Sequence, residues 1–177
     1  MRPAFGTTPL GKLDTLTVRA ASRDDAASVA EIYNEGIEDR LATFETRPRE
    51  ADEVRAWLGE GLPFLVATTG GQVVGWARVS PYSDRCVYEG VGEHGVYVAR
   101  AARGGGVGRR LLEALCDEAD RAGLYKLTSR VFTDNTASRA VHVAAGFHEV
   151  GVQRRHGRLD GRWKDCVLVE RLLGDAA

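Results

Sequence analysis

The chain has 177 residues, with 25 acidic and 24 basic side chains and a net charge of −1. That length suits one domain with a real core, and the near-neutral, unstriped charge supplies no field to draw the chain to nucleic acid or an anionic membrane. No apolar run approaches the roughly 18 residues of a membrane helix, and the opening MRPAFGTTPLGKLD lacks the apolar core of a signal peptide.

Residues 1–14 read as a flexible N-terminal extension and 15–173 as a single domain. Leu16 to Arg19 is predicted as a first strand. Ser22 can cap a helix with Asp24 and Asp25 in its first turn, and Val29, Ile32, Tyr33 and Ile37 form that helix's apolar face. Glu38 to Arg49 reads as loop. A second helix spans Glu50 to Gly59, with Val54, Trp57 and Leu58 inward. Pro63 to Thr69 and Gln72 to Ser80 are strands, joined by the hairpin signal Gly70-Gly71. Pro81 to Gly92 is irregular, and Glu93 to Val98 is the next strand.

A long helix starts near Val107, with Leu111, Leu112, Leu115, Cys116 and Ala119 at helical spacing, and ends near Gly123. Lys126 to Phe132 is a strand. Asp134 or Asn135 opens a short helix whose apolar residues include Ala140, Val141, Val143 and Ala144. Phe147 to Arg155 and Trp163 to Leu172 are the last strands, with Gly157 to Gly161 turning between them. The order is β-α-α-β-β-β-α-β-α-β-β, which predicts an α/β fold with a mixed sheet flanked by helices.

The stretch Val96 to Leu115 carries the strongest chemical signal. A strand, Val96-Tyr97-Val98, runs into Arg103-Gly104-Gly105-Gly106-Val107-Gly108-Arg109 and then into a helix. Glycine accepts positive φ and lets a ligand approach the backbone. The first N–H groups of a helix lack internal partners and lie at its positive end. Together they make an anion site suited to a phosphate or pyrophosphate. The dinucleotide pattern G-x-G-x-x-G fails, because the third glycine would fall on Arg109, and no Gly-Lys-Ser/Thr follows for a P-loop. R-x-x-G-x-G fits, at Arg103, Gly106 and Gly108. A glycine-rich βα turn without a ligand is the plainer alternative.

These residues resemble the pyrophosphate loop of the GCN5-related N-acetyltransferases, the GNAT superfamily. The resemblance runs from about Thr15 to Leu172. Within it the chain is similar to the branch that acetylates phosphinothricin and arsinothricin. The residues that carry this are Ile32-Tyr33-Asn34-Glu35-Gly36-Ile37, Ala42-Thr43-Phe44-Glu45, Gly75-Trp76-Ala77, and Glu93 with Val96-Tyr97-Val98. Further along are Asn135-Thr136-Ala137-Ser138, His142 with Gly146-Phe147, and Asp160-Gly161 with Trp163 and Asp165.

The resemblance implies a GNAT fold and an acetyl-CoA-dependent N-acetyltransferase with no metal. Its acceptor would be the amine of a small amino acid or analogue, acetylated by direct transfer in a ternary complex. An α-ammonium must lose a proton before it can attack, and Glu93 stands where the branch places its general base. His142 stands where it places the proton donor to the leaving thiolate; Tyr97 and Tyr125 are weaker candidates for that role. Val96 and Val98 are expected to bond the pantetheine arm like an added strand, with Tyr97 between them. The amides of Gly104, Gly105, Gly106, Val107, Gly108 and Arg109 are expected to hold the pyrophosphate, with Arg103 beside them and Asn135 touching the cofactor. For the acceptor, arginine matches a carboxylate in bidentate fashion. Arg85 is the expected reader, walled by Phe44, Tyr82 and Tyr88, while Ser83 and Glu89 replace further arginines expected there. Plainer readings exist: a solvated strand-end glutamate for Glu93, a core histidine for His142, a helix cap for Asn135 and a loop charge for Arg85.

Cys86, Cys116 and Cys166 share no metal or redox spacing, which fits a reducing cytoplasm. None has a histidine partner at a recognisable spacing, so a covalent acetyl-enzyme is not expected. The expected partners are a small-molecule amine and, as an option, a second copy of the chain as a homodimer. The alternatives are a non-catalytic acyl-CoA-binding sensor, a nucleotide-binding protein, and an acetyltransferase for an unrelated small amine.

Overall fold

The computed structural model describes residues 16–177, so the extension expected over 1–14 lies outside the described residues. The strands are β1 (Thr17–Ala20), β2 (Phe64–Thr69), β3 (Gln72–Pro81), β4 (Val91–Val98), β5 (Lys126–Phe132), β6 (His148–Leu159) and β7 (Arg162–Leu172). The helices are α1 (Ala26–Glu38), α2 (Ala51–Leu58), α3 (Val107–Arg121) and α4 (Thr136–Ala144). The element order is the one the sequence predicts. The strands form one sheet, β1-β2-β3-β4-β5-β7-β6, in which β4 and β5 are parallel and every other pair antiparallel.

Alternation along the strands sends side chains to two cores. Leu65, Ala67, Ala77, Val79 and Leu127 meet Leu111, Leu112 and Leu115 of α3 on one face. Phe64, Val66 and Trp76 meet Val29, Ile32, Tyr33 and Ile37 of α1 and Val54 of α2 on the other. That second core is aromatic. Tyr33 lies edge-on to Trp57, Trp76 and Tyr97, and Trp76 stacks on Tyr97 with centroids 4.8 Å apart.

The one parallel junction is short. Val91, Gly92 and Glu93 of β4 pair with Lys126, Leu127 and Thr128 of β5, and the register ends there. Beyond Glu93 the two strands part, while β4 stays paired with β3 through Val98. Ala99 donates its N–H to Val74 O, so the alternate pairs Val98–Gly75 and Val96–Ala77 are the non-hydrogen-bonded kind. The backbone groups of Val96 and Val98 therefore face the gap left by β5.

Three local differences from the predicted elements have physical reasons. A 3₁₀ turn, Arg23–Asp25, precedes α1, and the buried Asp25 carboxylate accepts from Ser22 N–H at 2.7 Å and from Arg19. Strand β4 begins at Val91, because Gly92 can lie flat among Val79, Leu124 and Leu127. Strand β6 runs through Gly157 to Leu159, so the predicted turn shrinks to Asp160-Gly161, both at positive φ. Gly157 is spent on packing: a Cβ there would lie 2.7 Å from the Phe44 ring. On α4, Val143 is exposed and His142 is the buried side chain.

Gly92 holds the parallel junction together. A Cβ at this position would stand 2.4 Å from Val79 Cγ1 and 2.9 Å from Leu127 Cδ2. Gly92→Ala is expected to lower unfolding free energy by about 1–3 kcal/mol, the usual cost of overpacking a filled core. Urea denaturation reads this directly, and an unchanged midpoint would mean that the junction is loosely packed.

Candidate active site

A cleft of about 1230 Å³ opens where β4 and β5 part. Val96 and Val98 form one wall and Ser129, Arg130 and Val131 the other. The glycine loop closes one end, and Glu93, Phe44 and His156 line the opposite region.

The glycine loop has the predicted anion-site geometry. Gly106 caps α3 at φ 80°, and Gly104 is at φ 81°. Arg110 N–H makes the first loop-to-helix bond, to Gly106 O, so the N–H groups of Val107 to Arg109 lie ahead of the helical ladder. A Cβ on Gly104 or Gly106 would meet nothing within 4 Å, whereas one on Gly108 would touch Val141 and Val98. The first two glycines thus leave open space, and the third permits close packing. Gly105 does not line the cleft. Arg103 braces the loop: Nε donates to Val98 O at 3.1 Å and Nη1 to Asp39 at 2.8 Å. Arg109 pairs with Glu113 on α3. An added strand beside β4 thus finds both backbone groups of Val96 but shares the Val98 carbonyl with Arg103. A pyrophosphate-bearing pantetheine ligand such as CoA fits this arrangement of unpaired strand edge and exposed helix amides.

Tyr97 points to the aromatic core, where its ring is packed and its hydroxyl lies 3.4 Å from Ala42 O. Burial pushes its phenol well above the usual range, so it is a reluctant acid. Tyr125 is exposed beside Gly90 and does not line the cleft. Asn135 caps α4 by accepting from Ser138 N–H at 3.1 Å and donates to Leu41 O, and it also lines the cleft.

Two histidines meet in the cleft wall. His142 on α4 and His94 on β4 are both buried, with their Nε2 atoms 3.0 Å apart. His142 Nδ1 lies 2.8 Å from Ser138 O. A carbonyl only accepts, so Nδ1 carries the hydrogen and the neutral ring has its lone pair on Nε2. His94 Nε2 must then be the donor between the rings. Its buried Nδ1 makes no hydrogen bond of good geometry among the described residues, although the Thr128 backbone lies near enough to favour a charged ring. Burial holds both imidazoles below their usual range, His94 the further, because His142 also stands against it.

Glu93 lies on the opposite face of β4 from His94. Its Oε1 accepts from Arg130 Nη1 at 3.1 Å, and Arg130 Nε donates to Gln153 Oε1 at 3.1 Å. A bulge in β6 completes this region. Gln153 pairs with Cys166 and Gly157 with Lys164, so Arg154, Arg155 and His156 stand opposite Asp165 alone. Arg155 takes φ 50°, and His156 is delivered to the cleft.

Glu93, His142, Asn135, Phe44 and most of the glycine loop therefore surround one cleft. Tyr82, Arg85 and Tyr88 do not line it. They form a separate exposed cluster in the β3–β4 loop, with Tyr88 edge-on to Tyr82 and the Arg85 guanidinium 5.4 Å from the Tyr88 ring. The loop holds its arginine over its own Tyr88 ring. Arg130, His94 and His156 line the cleft without having been singled out in the sequence. Arg130 had a signal: a cation in the interior of the strand KLTSRVF, where Lys126 stands at the end.

The family model described as acetyltransferase (GNAT) family matches residues 29–147. A phosphinothricin N-acetyltransferase of Alcaligenes faecalis is 38% identical over 162 residues, covering 89% of this chain and 82% of that protein. An L-methionine sulfoximine/L-methionine sulfone acetyltransferase of Salmonella typhimurium is 32% identical, covering 92% of this chain and 97% of that protein. Among solved structures, a GNAT superfamily phosphinothricin acetyltransferase from Sinorhizobium meliloti in complex with AcCoA superimposes with a TM-score of 0.85. It is 32% identical, and the match covers 91% of this chain and 90% of that one.

Two measurements test the site. Gly106→Val forces a β-branched residue to φ 80° and puts its side chain into the open space beside the helix amides. CoA affinity measured by calorimetry should fall at least about tenfold, roughly 1.4 kcal/mol; unchanged affinity in a folded variant would remove the loop from the binding site. The histidine pair makes a prediction about stability. Unfolded histidines titrate near 6.5, whereas the folded pair resists protonation. Below that pH the unfolded chain binds more protons, so stability should fall as pH drops from about 7.5 to 5.5. His94→Gln should flatten this slope in urea denaturation series, and an unaltered slope would show that the pair does not control it.

Proposed function

The chain belongs to the GNAT acetyltransferase family and is an acetyl-CoA-dependent N-acetyltransferase; from that premise we propose that its acceptor is the α-amine of a small amino acid or analogue, of the phosphinothricin or arsinothricin kind. The observation that carries this reading is Glu93, a partly exposed carboxylate in the cleft wall beyond the glycine loop, ion-paired to Arg130. Bound acetyl-CoA supplies the acetyl group as a thioester. Glu93 takes one proton from the acceptor's ammonium, directly or through water, which leaves a neutral amine able to attack. The Val96 backbone and the loop amides orient the thioester at the gap between β4 and β5. The attacking nitrogen's second proton then goes to the departing thiolate, with His142 as the proposed relay: it takes that proton at Nε2, in place of the His94 hydrogen bond, as it gives up the Nδ1–H that Ser138 O holds.

Transfer is direct. Cys116 and Cys166 are buried, with thiols pushed up by burial, the first to about 11, and Cys86 is exposed in the β3–β4 loop. None of the three lines the cleft, so no activated nucleophile stands beside the thioester. The proposal extends to a homodimer, with exposed Val150, Val152 and Trp163 on β6 and β7 as a surface a second copy would cover, and to the reducing cytoplasm.

A panel of amino acids and analogues, phosphinothricin and methionine sulfone among them, should give acceptor-dependent thiol release; a chain that binds CoA but releases none would be a sensor. Glu93→Gln should keep CoA binding while kcat/KM falls about 10²-fold at neutral pH, within the range general bases contribute. Raising the pH should recover part of the loss as free amine becomes abundant. Identical activity of variant and wild type from pH 6 to 9 would assign Glu93 a structural part only.

A further inference from the structure

We propose that Arg130 reads the α-carboxylate of the acceptor, and that the Glu93–Arg130 ion pair is a receptor for the zwitterionic end of an α-amino acid. The inference rests on the amino-acid reading above and deepens it by naming the residue that selects the class.

Among the described residues, three arginines line the cleft. Arg103 and Arg109, at the glycine-loop end, are each held by a carboxylate of their own, Asp39 and Glu113. Arg130 is the guanidinium beside Glu93. It sits on β5 past the point where β4 departs, so its side chain spans the opening rather than a strand ladder. It is half-buried, and its Nε is anchored by Gln153 at the β6 bulge. Nη1 meets Glu93, and Nη2 has no hydrogen-bond partner among the described residues. Glu93 likewise uses Oε1 alone. The pair therefore keeps a free donor and a free acceptor side by side.

An α-amino acid presents an ammonium and a carboxylate on one carbon, the charge complement of this pair. The ammonium meets Glu93, where its proton must go, and the carboxylate meets Arg130, which suits it in bidentate fashion. As the carboxylate draws Nη1 away, Glu93 Oε1 is freed to accept. A primary amine without that carboxylate would leave Oε1 on Arg130 and only Oε2 open to its proton. Selection for α-amino acids and release of the second carboxylate oxygen are then the same event, and the β3–β4 loop with Arg85 is not needed for either.

The test uses two matched pairs of acceptors that differ only in the α-carboxylate. One pair is L-phosphinothricin and its decarboxylated amine; the other is L-methionine sulfone and 3-(methylsulfonyl)propylamine. The quantity read is the ratio of kcat/KM, amino acid over amine, from thiol release at saturating acetyl-CoA. Wild type should favour the amino acid by at least about tenfold. Arg130→Met, which keeps most of the aliphatic stem, should collapse that ratio about tenfold or more, chiefly through KM, while CoA binding by calorimetry is kept. Arg130→Lys should restore part of it. A ratio that survives Arg130→Met, or that collapses in Arg85→Ala instead, overturns the assignment. A wild type that turns over both members of each pair equally also overturns it, yet leaves the acetyltransferase reading standing. A wild type that acetylates no amino acid removes both.

Discussion

The parting of β4 from β5 after a three-residue parallel junction is the constraint on which the rest depends. A parallel pair that stops short leaves backbone groups facing a gap, and buried unpaired groups cost about 1–3 kcal/mol each. The gap persists because both strands are held from their other sides. Strand β4 is laddered to β3 over its last residues, and β5 is laddered to β7 along its whole length. Packing backs both strands, with the leucines of α3 under one face of β2, β3, β5 and β7 together and the aromatic cluster of Tyr33, Trp57, Phe64 and Trp76 over the other face of β2 and β3. The unpaired edge is therefore a standing invitation to a ligand that can hydrogen-bond like a strand, which is what a pantetheine arm offers.

The same opening explains why polar groups concentrate here. Along β4, alternate residues point to opposite sides, so Glu93 and His94 serve different halves of the cleft from adjacent positions. The side with Glu93 is wet and ionic, shared with Arg130 and His156. The side with His94 is closed by Phe147 and by His142, whose rings pack within 5.3 Å of one another. One half suits an ion exchanging with solvent. The other suits neutral imidazoles whose hydrogens are fixed by a single carbonyl. At the far end, Arg100 and Arg103 clasp Asp39 at the end of α1, which ties the glycine loop to the aromatic core and holds the Asp39 carboxyl below its usual range.

Much of this was legible because it is local. Helical spacing on α1 and α3, alternation on β2 and β3, and the glycines before α3 specify elements whatever lies around them. Glu93, His142 and the loop glycines stood in recognisable patterns. What the pattern could not supply was long-range neighbourhood. Gly157 looks like a turn residue until Phe44, more than a hundred positions away, is seen to occupy the space a Cβ would take. Val143 counts among the apolar residues of α4, yet it is exposed, and the side chain the helix buries is His142, opposite His94. Arg85 sits in the expected loop, yet that loop turns its aromatic residues onto each other and away from the cleft.

The bulge in β6 separates what this scaffold must keep from what it is free to change. Three residues of β6 face one of β7, and the ladder resumes on both sides of them. Insertions or deletions at Arg154 to His156 would move His156 and the Gly157–Phe44 contact without disturbing the β5–β7 ladder or the glycine loop. Lineages descending from such a chain could therefore diversify the amines they consume by editing a few codons at this edge, with the acetyl donor's berth inherited intact.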